Sequence, residues 1–161
     1  MKLPFRLLYG FLMWLTLVWD KFTKPARYIG GKDNPYLSRW YIIPRNNWFN
    51  IYLHKFTRSD DDRALHDHPW WNVSVILKGW YWEIISNNPE LLIPRVRGNI
   101  VFRKATQLHR IELPVEGYPV WTLFITGPRI REWGFQCPQG WIPWYEFVDP
   151  NNPDLPGRGC D

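Results

Sequence analysis

The chain reads as an all-β domain, and three observations lead to that class. After residue 39 the apolar residues come in short runs rich in Val, Ile, Tyr, Phe and Trp, each closed by Gly, Pro, Asn or Asp. Twelve Trp and fifteen Pro suit short strands and tight turns, and they disfavour long helices. No run between the turns carries a helical apolar period. At 161 residues the chain is most economically one domain with a proper core.

Residues 1–22 are the exception. Leu3, Leu7, Phe11, Leu15, Val18 and Phe22 fall on one helical stripe, against a weakly polar face of Arg6, Gly10, Met13, Thr16 and Asp20. This apolar helix is short for a membrane span, and no small-residue cleavage site follows Trp19. It is expected to dock on the domain or on a partner protein, with attachment to a membrane surface as the alternative. Residues 23–38 hold Pro25, Gly30, Gly31, Asn34 and Pro35 and read as a linker.

The β domain is expected over residues 39–150, with strands at 40–43, 48–58, 64–68, 72–77, 80–85, 99–104, 108–113, 120–125, 132–137 and 144–148. Lys78-Gly79 reads as a tight hairpin between two of them, and Asn87-Asn88-Pro89 opens a longer connection to Gly98. About ten short strands joined by turns argue for a sandwich, jelly roll or barrel. Residues 151–161 form a polar tail.

The formal net charge of +5 comes from Lys and Arg scattered without a basic run. With neither a basic block nor a groove-entering motif, nucleic acid is not an expected partner. Cys137 and Cys160 form neither a metal-ligand spacing nor a disulfide framework. Cys137 reads as a small buried apolar residue and Cys160 as an exposed one. A reducing, cytoplasmic compartment is the default that follows.

Three of the four histidines stand where a metal site needs them. Side chains alternate along a strand, so His66 and His68 project the same way, and His109 comes from another strand. Neutral imidazole binds first-row metals, at about 2.0–2.1 Å for zinc. His54 lacks a partner at ligand spacing and reads as a core residue or a support behind the site.

The string His66-x-His68-x-x-x-Asn72, then Gly79, followed by Gly98 and His109, resembles the two motifs of the cupin superfamily. The departures are Asp60, Lys104, Thr106 and Leu113 at positions where cupins carry glycine, proline, glycine and asparagine. The resemblance spans residues 40–148. It implies a double-stranded β-helix, with His66, His68 and His109 holding one divalent transition metal. Asn72 occupies the place of the acidic fourth ligand, and cupins often form homodimers.

A neutral amide there would leave the ion more positive, with an open position for water or substrate. Three-histidine cupins of this kind look like the thiol dioxygenases. The expected activity is therefore iron(II) oxygenase or dioxygenase chemistry on a small molecule. The same ligand set with zinc suits a lyase, hydrolase or isomerase, manganese and nickel are further candidates for the ion, and a non-catalytic binding module tethered to a membrane or protein partner is the third reading. Strand parity puts Ser74, Ile76, Tyr81, Glu83 and Ile85 on the face of His66, His68 and Asn72, where Tyr81 and Glu83 would supply an acid/base or an orienting hydrogen bond. A one-residue slip would turn Glu83 to solvent. Arg58, Arg63 and Trp121 complete the candidates for a substrate pocket, although both arginines could simply pair with Asp60, Asp61 and Asp62.

Overall fold

The computed structural model describes residues 23–60, 64–86, 91–115, 117–155 and 157–161. The expected apolar helix at 1–22, with its membrane or partner contact, lies outside these residues, as does Arg63. No helix among the described residues is long and apolar enough to cross a membrane.

In chain order the elements are β1 (Arg27–Ile29), β2 (Leu37–Tyr41), β3 (Asn50–Phe56), β4 (Leu65–His66), β5 (Asn72–Lys78) and β6 (Trp80–Ile84). They continue with β7 (Leu92–Val96), β8 (Ile100–Arg103), β9 (Arg110–Glu112), β10 (Val120–Thr126), β11 (Gly134–Cys137), β12 (Gly140–Pro143) and helix α1 (Trp144–Phe147). One sheet has six strands in the order β1-β2-β3-β10-β5-β8, and two three-stranded sheets run β12-β11-β4 and β7-β6-β9. All pairings are antiparallel. His66 and His109 exchange backbone hydrogen bonds of 2.9 Å each, an isolated bridge that stitches the two small sheets into one wall.

The inner faces of the two walls meet in an apolar cluster. Leu37, Phe56, Ile76, Val101 and Val120 of the large sheet pack on Tyr81, Ile111 and Leu113 opposite. A fully buried side chain of this kind contributes about 1.5–3 kcal/mol, so this end of the barrel is the principal apolar store. In β3, β5 and β10 the inward residues are those of even number, and the burial alternates accordingly.

Several expectations change. Lys78-Gly79 is a corner and not a hairpin, because β5 pairs with β10 and β8 while β6 pairs with β7 and β9. Gly79 takes φ +77°, and a Cβ there would meet Val120 Cγ2 at 3.1 Å, so the chain turns from one wall into the other. The inward parity of Ser74, Ile76, Tyr81 and Glu83 survives the corner, but it ends there: Ile84 is buried and Ile85 only half-buried.

The linker expected at 23–38 holds β1 and the start of β2, and Arg27 of β1 is held by an ion pair to distant Asp154. The connection before Gly98 contains β7, whose Pro94 masked the strand pattern; proline is tolerated because β7 is an edge strand. The strand expected at 144–148 is a single helical turn. Residues three apart share a helix face, which stacks Trp144 on Trp133 at 6.0 Å and Phe147 on Phe135 at 3.7 Å. The run from Trp144 to Val148 alternates no more clearly than it spirals, so only these contacts decide.

The cysteines are also corrected. Cys137 and Cys160 form a disulfide, with Cα atoms 5.4 Å apart and a sequence separation of 23. No spacing rule joins a strand residue to a cysteine in a Gly/Pro tail; the stacking of α1 on β11 brings the tail back. Neither cysteine is a free thiol, so the expectation of a reducing compartment loses its basis. Chain entropy for a loop of this length corresponds to about 3 kcal/mol. Cys160→Ser, or a reductant, is expected to lower the unfolding midpoint accordingly, and an unchanged midpoint would remove the disulfide from the fold's support.

Candidate metal centre

The His66-Asp67-His68 tripeptide is aimed by its middle residue. Asp67 is buried on the far side, where Oδ1 accepts from the Gly134 N–H at 2.8 Å and Oδ2 accepts from Arg131 Nη1 and Trp141 Nε1. With Asp67 pinned to β11, alternation turns His66 and His68 into the barrel. His66 ends β4, whereas His68 stands just beyond it, with its N–H donating to Ala105 O at 3.0 Å. His109 precedes β9 and faces His66 across the bridge, and their rings lie 4.8 Å apart.

One ring nitrogen from each of His66, His68 and His109 lies within 4.8 Å of the others. Nε2 of His68 and Nε2 of His109 are 2.8 Å apart. Burial lowers all three imidazoles below the usual histidine range, helped by His109 for His66 and His68 and by Arg103 for His109. Neutral imidazole is the ligating form, so the donor set fits a divalent transition metal.

Carboxylates stand behind two of the rings. Glu83 Oε1 lies 3.1 Å from His109 Nδ1, close but off-line, since Nδ1 lacks a well-aligned hydrogen bond. Asp60 Oδ2 lies 3.9 Å from His66 Nδ1 and accepts from the Ile111 N–H at 2.9 Å. Carboxylates at Nδ1 direct Nε2 toward an ion and select the tautomer. Burial pushes the Asp60 carboxyl up to about 7, against the pull of the Ile111 N–H and Arg110.

Glu83 is fully buried and held by two guanidinium groups, Arg95 and Arg103. Burial alone would raise its pKa; the close approach of His109 and the charge of Arg103 hold it well below the carboxylate range. It therefore stays ionised, a fixed negative charge beside the His109 ring. Arg103, itself fully buried, also donates to Ser74 Oγ at 2.9 Å, to Asn72 Oδ1 at 3.4 Å and to Tyr81 Oη at 3.4 Å. The Asn72 oxygen that an ion would need is thus taken by Arg103, and Asn72 Nδ2 has no partner among the described residues. Burial keeps the Tyr81 phenol protonated, with its pKa raised.

A cavity of about 440 Å³ opens beside the cluster, lined by Phe56, Asp60, Trp70, Ser74, Tyr81 and Phe124 among others. Two expected pocket residues are elsewhere. Trp121 has outward parity in β10 and stacks on Trp40 at 5.5 Å. Arg58 ties down a loop through the carbonyls of Asn34 and Gly30. His54 does face inward, and its neighbour Arg39 lines the same cavity.

No family model and no curated protein matches the chain by sequence. Solved structures match it in shape. A Klebsiella pneumoniae protein with a double-stranded β-helix domain superposes with TM-score 0.52 at 16% identity, covering 67% of this chain and 90% of that one. A Ralstonia eutropha protein of unknown function with a cupin-like fold gives 0.50 at 12% identity, covering 69% and 65%. The fold is the cupin barrel. Identities this low speak to the fold alone.

Within the cupin barrel, Asp60, Arg95, Arg103 and Arg39 stand at the candidate site without having been singled out for it by the sequence. Arg103 left one trace: it shares the parity of buried Val101, while Ile100 and Phe102 of the same strand are exposed. Asp60 left none, because a turn of charges looks solvated until the fold buries one.

Removing one partner of a buried ion pair costs about 3–5 kcal/mol. Arg103→Met should lower stability by that amount in denaturant titration. Arg129→Ala, which breaks an exposed pair with Glu132, should cost less than about 1 kcal/mol. Equal effects would contradict the role of Arg103.

Acid should also destabilise the metal-free cupin barrel. Burial holds all four histidines below the ordinary imidazole range near 6.5, so the unfolded chain takes up protons there that the folded chain refuses. Asp60, at about 7, opposes this with one proton taken up by the folded state. Four sites outweigh one, so the unfolding midpoint should fall from pH 7 to pH 5; a rise would contradict the buried neutral imidazoles.

Proposed function

We propose that this cupin barrel is a metal-dependent enzyme acting on a small molecule, with His66, His68 and His109 holding one divalent ion. Iron(II) and oxygenase or dioxygenase chemistry are the leading form of the reading. The observation that carries it is the convergence of three imidazoles, His109 buried and His66 and His68 half-buried, beside a cavity, with carboxylates near two of them.

When bound, such an ion supplies Lewis-acid or redox chemistry at the positions the protein leaves open. The chain's own residues prepare that place. Glu83 is a positioning residue for His109, and Arg103 and Arg95 balance its charge. Asp60 stands 3.9 Å from His66 Nδ1, near the ring but beyond hydrogen-bond distance. Tyr81, protonated and lining the cavity, offers a phenol hydrogen bond to a ligand. Phe56, Trp70 and Phe124 exclude water from the remaining wall, which strengthens each polar contact inside.

A second reading keeps the ion and changes the reaction. Asp60 is a buried carboxyl that lines the cavity next to a ligand histidine, a place from which a proton can be exchanged with a substrate. That favours lyase, isomerase or hydrolase chemistry, for which three histidines and a water are also a known zinc arrangement.

Elemental analysis of purified full-length protein tests the proposal. About one equivalent of iron, lost in His66→Ala and His109→Ala and weakened about 10–100-fold in Glu83→Gln, is the expected result. Zinc without oxygen uptake at an oxygen electrode selects the second reading. Protein that holds no metal, and whose unfolding midpoint ignores added Fe(II), Zn(II), Mn(II) and Ni(II), refutes both.

A further inference from the structure

Strand register lays a row of residues straight across the large sheet. Arg27 is opposite Arg39, Arg39 opposite His54, His54 opposite Thr122, and Thr122 opposite Ile76. Directly opposed residues of antiparallel strands share a face, and Arg27, Arg39, His54 and Thr122 all line the cavity. The row lies on the wall opposite the histidine cluster. Phe124 stands between them, its ring 4.9 Å from His54 and 5.9 Å from His68.

The arginines of this cavity are not equivalent. Arg27 is neutralised by Asp154, and Arg129 by Glu132. Arg39 has no carboxylate partner among the described residues. Its Nε donates to His54 Nε2 at 2.9 Å, and its guanidinium carbon lies 4.9 Å from the Tyr52 ring centroid. Nε2 of His54 therefore accepts, which makes His54 a neutral prop that sets the roll of the guanidinium plane. The outer edge, Nη1 and Nη2, makes no hydrogen bond to a described residue. A half-buried guanidinium anchored through Nε, with both terminal nitrogens unused at a cavity wall, is preorganised for a two-pronged contact with a planar oxyanion. Arg45 lines the same cavity and adds positive potential.

We propose that Arg39 is the specificity-determining anchor of this cavity and that the ligand is a small organic acid, bound through its carboxylate. His54 is a positioning residue for Arg39, and Thr122 continues the polar row beside it. The inference rests on the cavity being a ligand site, and it stands apart from which ion the histidines hold. A cavity of about 440 Å³ restricts the acid to a compact molecule, with the carboxylate at the arginine row and the remainder toward His68 and His109.

Calorimetric titration with benzoate, its neutral isostere benzamide and phenyl phosphate tests this, on full-length protein both metal-loaded and chelator-treated. Wild type should bind benzoate about tenfold or more tighter than benzamide or phenyl phosphate in both preparations, the factor expected of a charge-assisted pair. Arg39→Met should lose that preference, Arg39→Lys should recover part of it, and Arg110→Met, whose side chain pairs with Glu112, should keep it. Arg39→Gln serves if Arg39→Met fails to fold. Equal binding of benzoate and benzamide, no benzoate binding at all, or full binding by folded Arg39→Met overturns the proposal. Phenyl phosphate in preference to benzoate overturns the carboxylate assignment. Benzoate binding that needs the metal and ignores Arg39 overturns the anchor while leaving the metal reading standing, so the two failures are distinguishable.

Discussion

The arrangement depends on one pair of backbone hydrogen bonds, those exchanged by His66 and His109. Without them, β12-β11-β4 and β7-β6-β9 are separate three-stranded pieces. With them, the pieces become a wall facing the six-stranded sheet, and the residues at the joint carry the imidazoles. A backbone constraint that completes the barrel thereby also sets the distance between two ligand candidates. Asp67, bound to Gly134 and Arg131 outside, keeps the flanking histidines from turning over.

The barrel interior is divided by chemistry. Around Ile76, Val101, Val120 and Ile111 it is an ordinary apolar core. Toward the histidines it becomes a charged network in which Arg103 touches Glu83, Ser74, Asn72 and Tyr81. Burying such charges is costly and gains little over apolar packing, so stability does not explain their presence. They make sense as the support of His109, whose ring is held against Glu83. The same economy explains Asn72: a carboxylate there would add a second negative charge beside Glu83, whereas the amide accepts from Arg103 and leaves the three imidazoles as a neutral set.

The tail takes part in the site as well. The disulfide to Cys137 and the ion pair between Asp154 and Arg27 bring residues 153–154 to the mouth of the cavity. Gly30 N–H donates to Asp154 O, so the first strand and the tail close on each other. A segment that reads as polar punctuation is thus part of the enclosure. Its position also spends the acid nearest the arginine row on Arg27, leaving Arg39 uncompensated.

Much was legible in the amino-acid sequence itself. Short runs with period-two alternation determine the all-β class and put His66 and His68 on one face, because strand geometry is local and converts spacing directly into facing; the barrel itself was what the resemblance of His66, His68, Gly79, Gly98 and His109 to the cupin motifs implied. Inward parity for Tyr81 and Glu83 was expected from the same rule carried through a hairpin at Lys78-Gly79; the parity holds although the turn is a corner between sheets. What the tertiary structure alone decided was non-local: the corner at Gly79, the helical turn at Trp144–Phe147, the Cys137–Cys160 disulfide, the outward Trp121, the burial of the Asp60 and Arg103 side chains, and the place of Arg39 at the cavity wall. A charge on a strand or in a turn is solvated or buried according to what folds over it. That depends on residues distant along the chain, as Arg27 and Asp154 are from each other, and no local pattern records it.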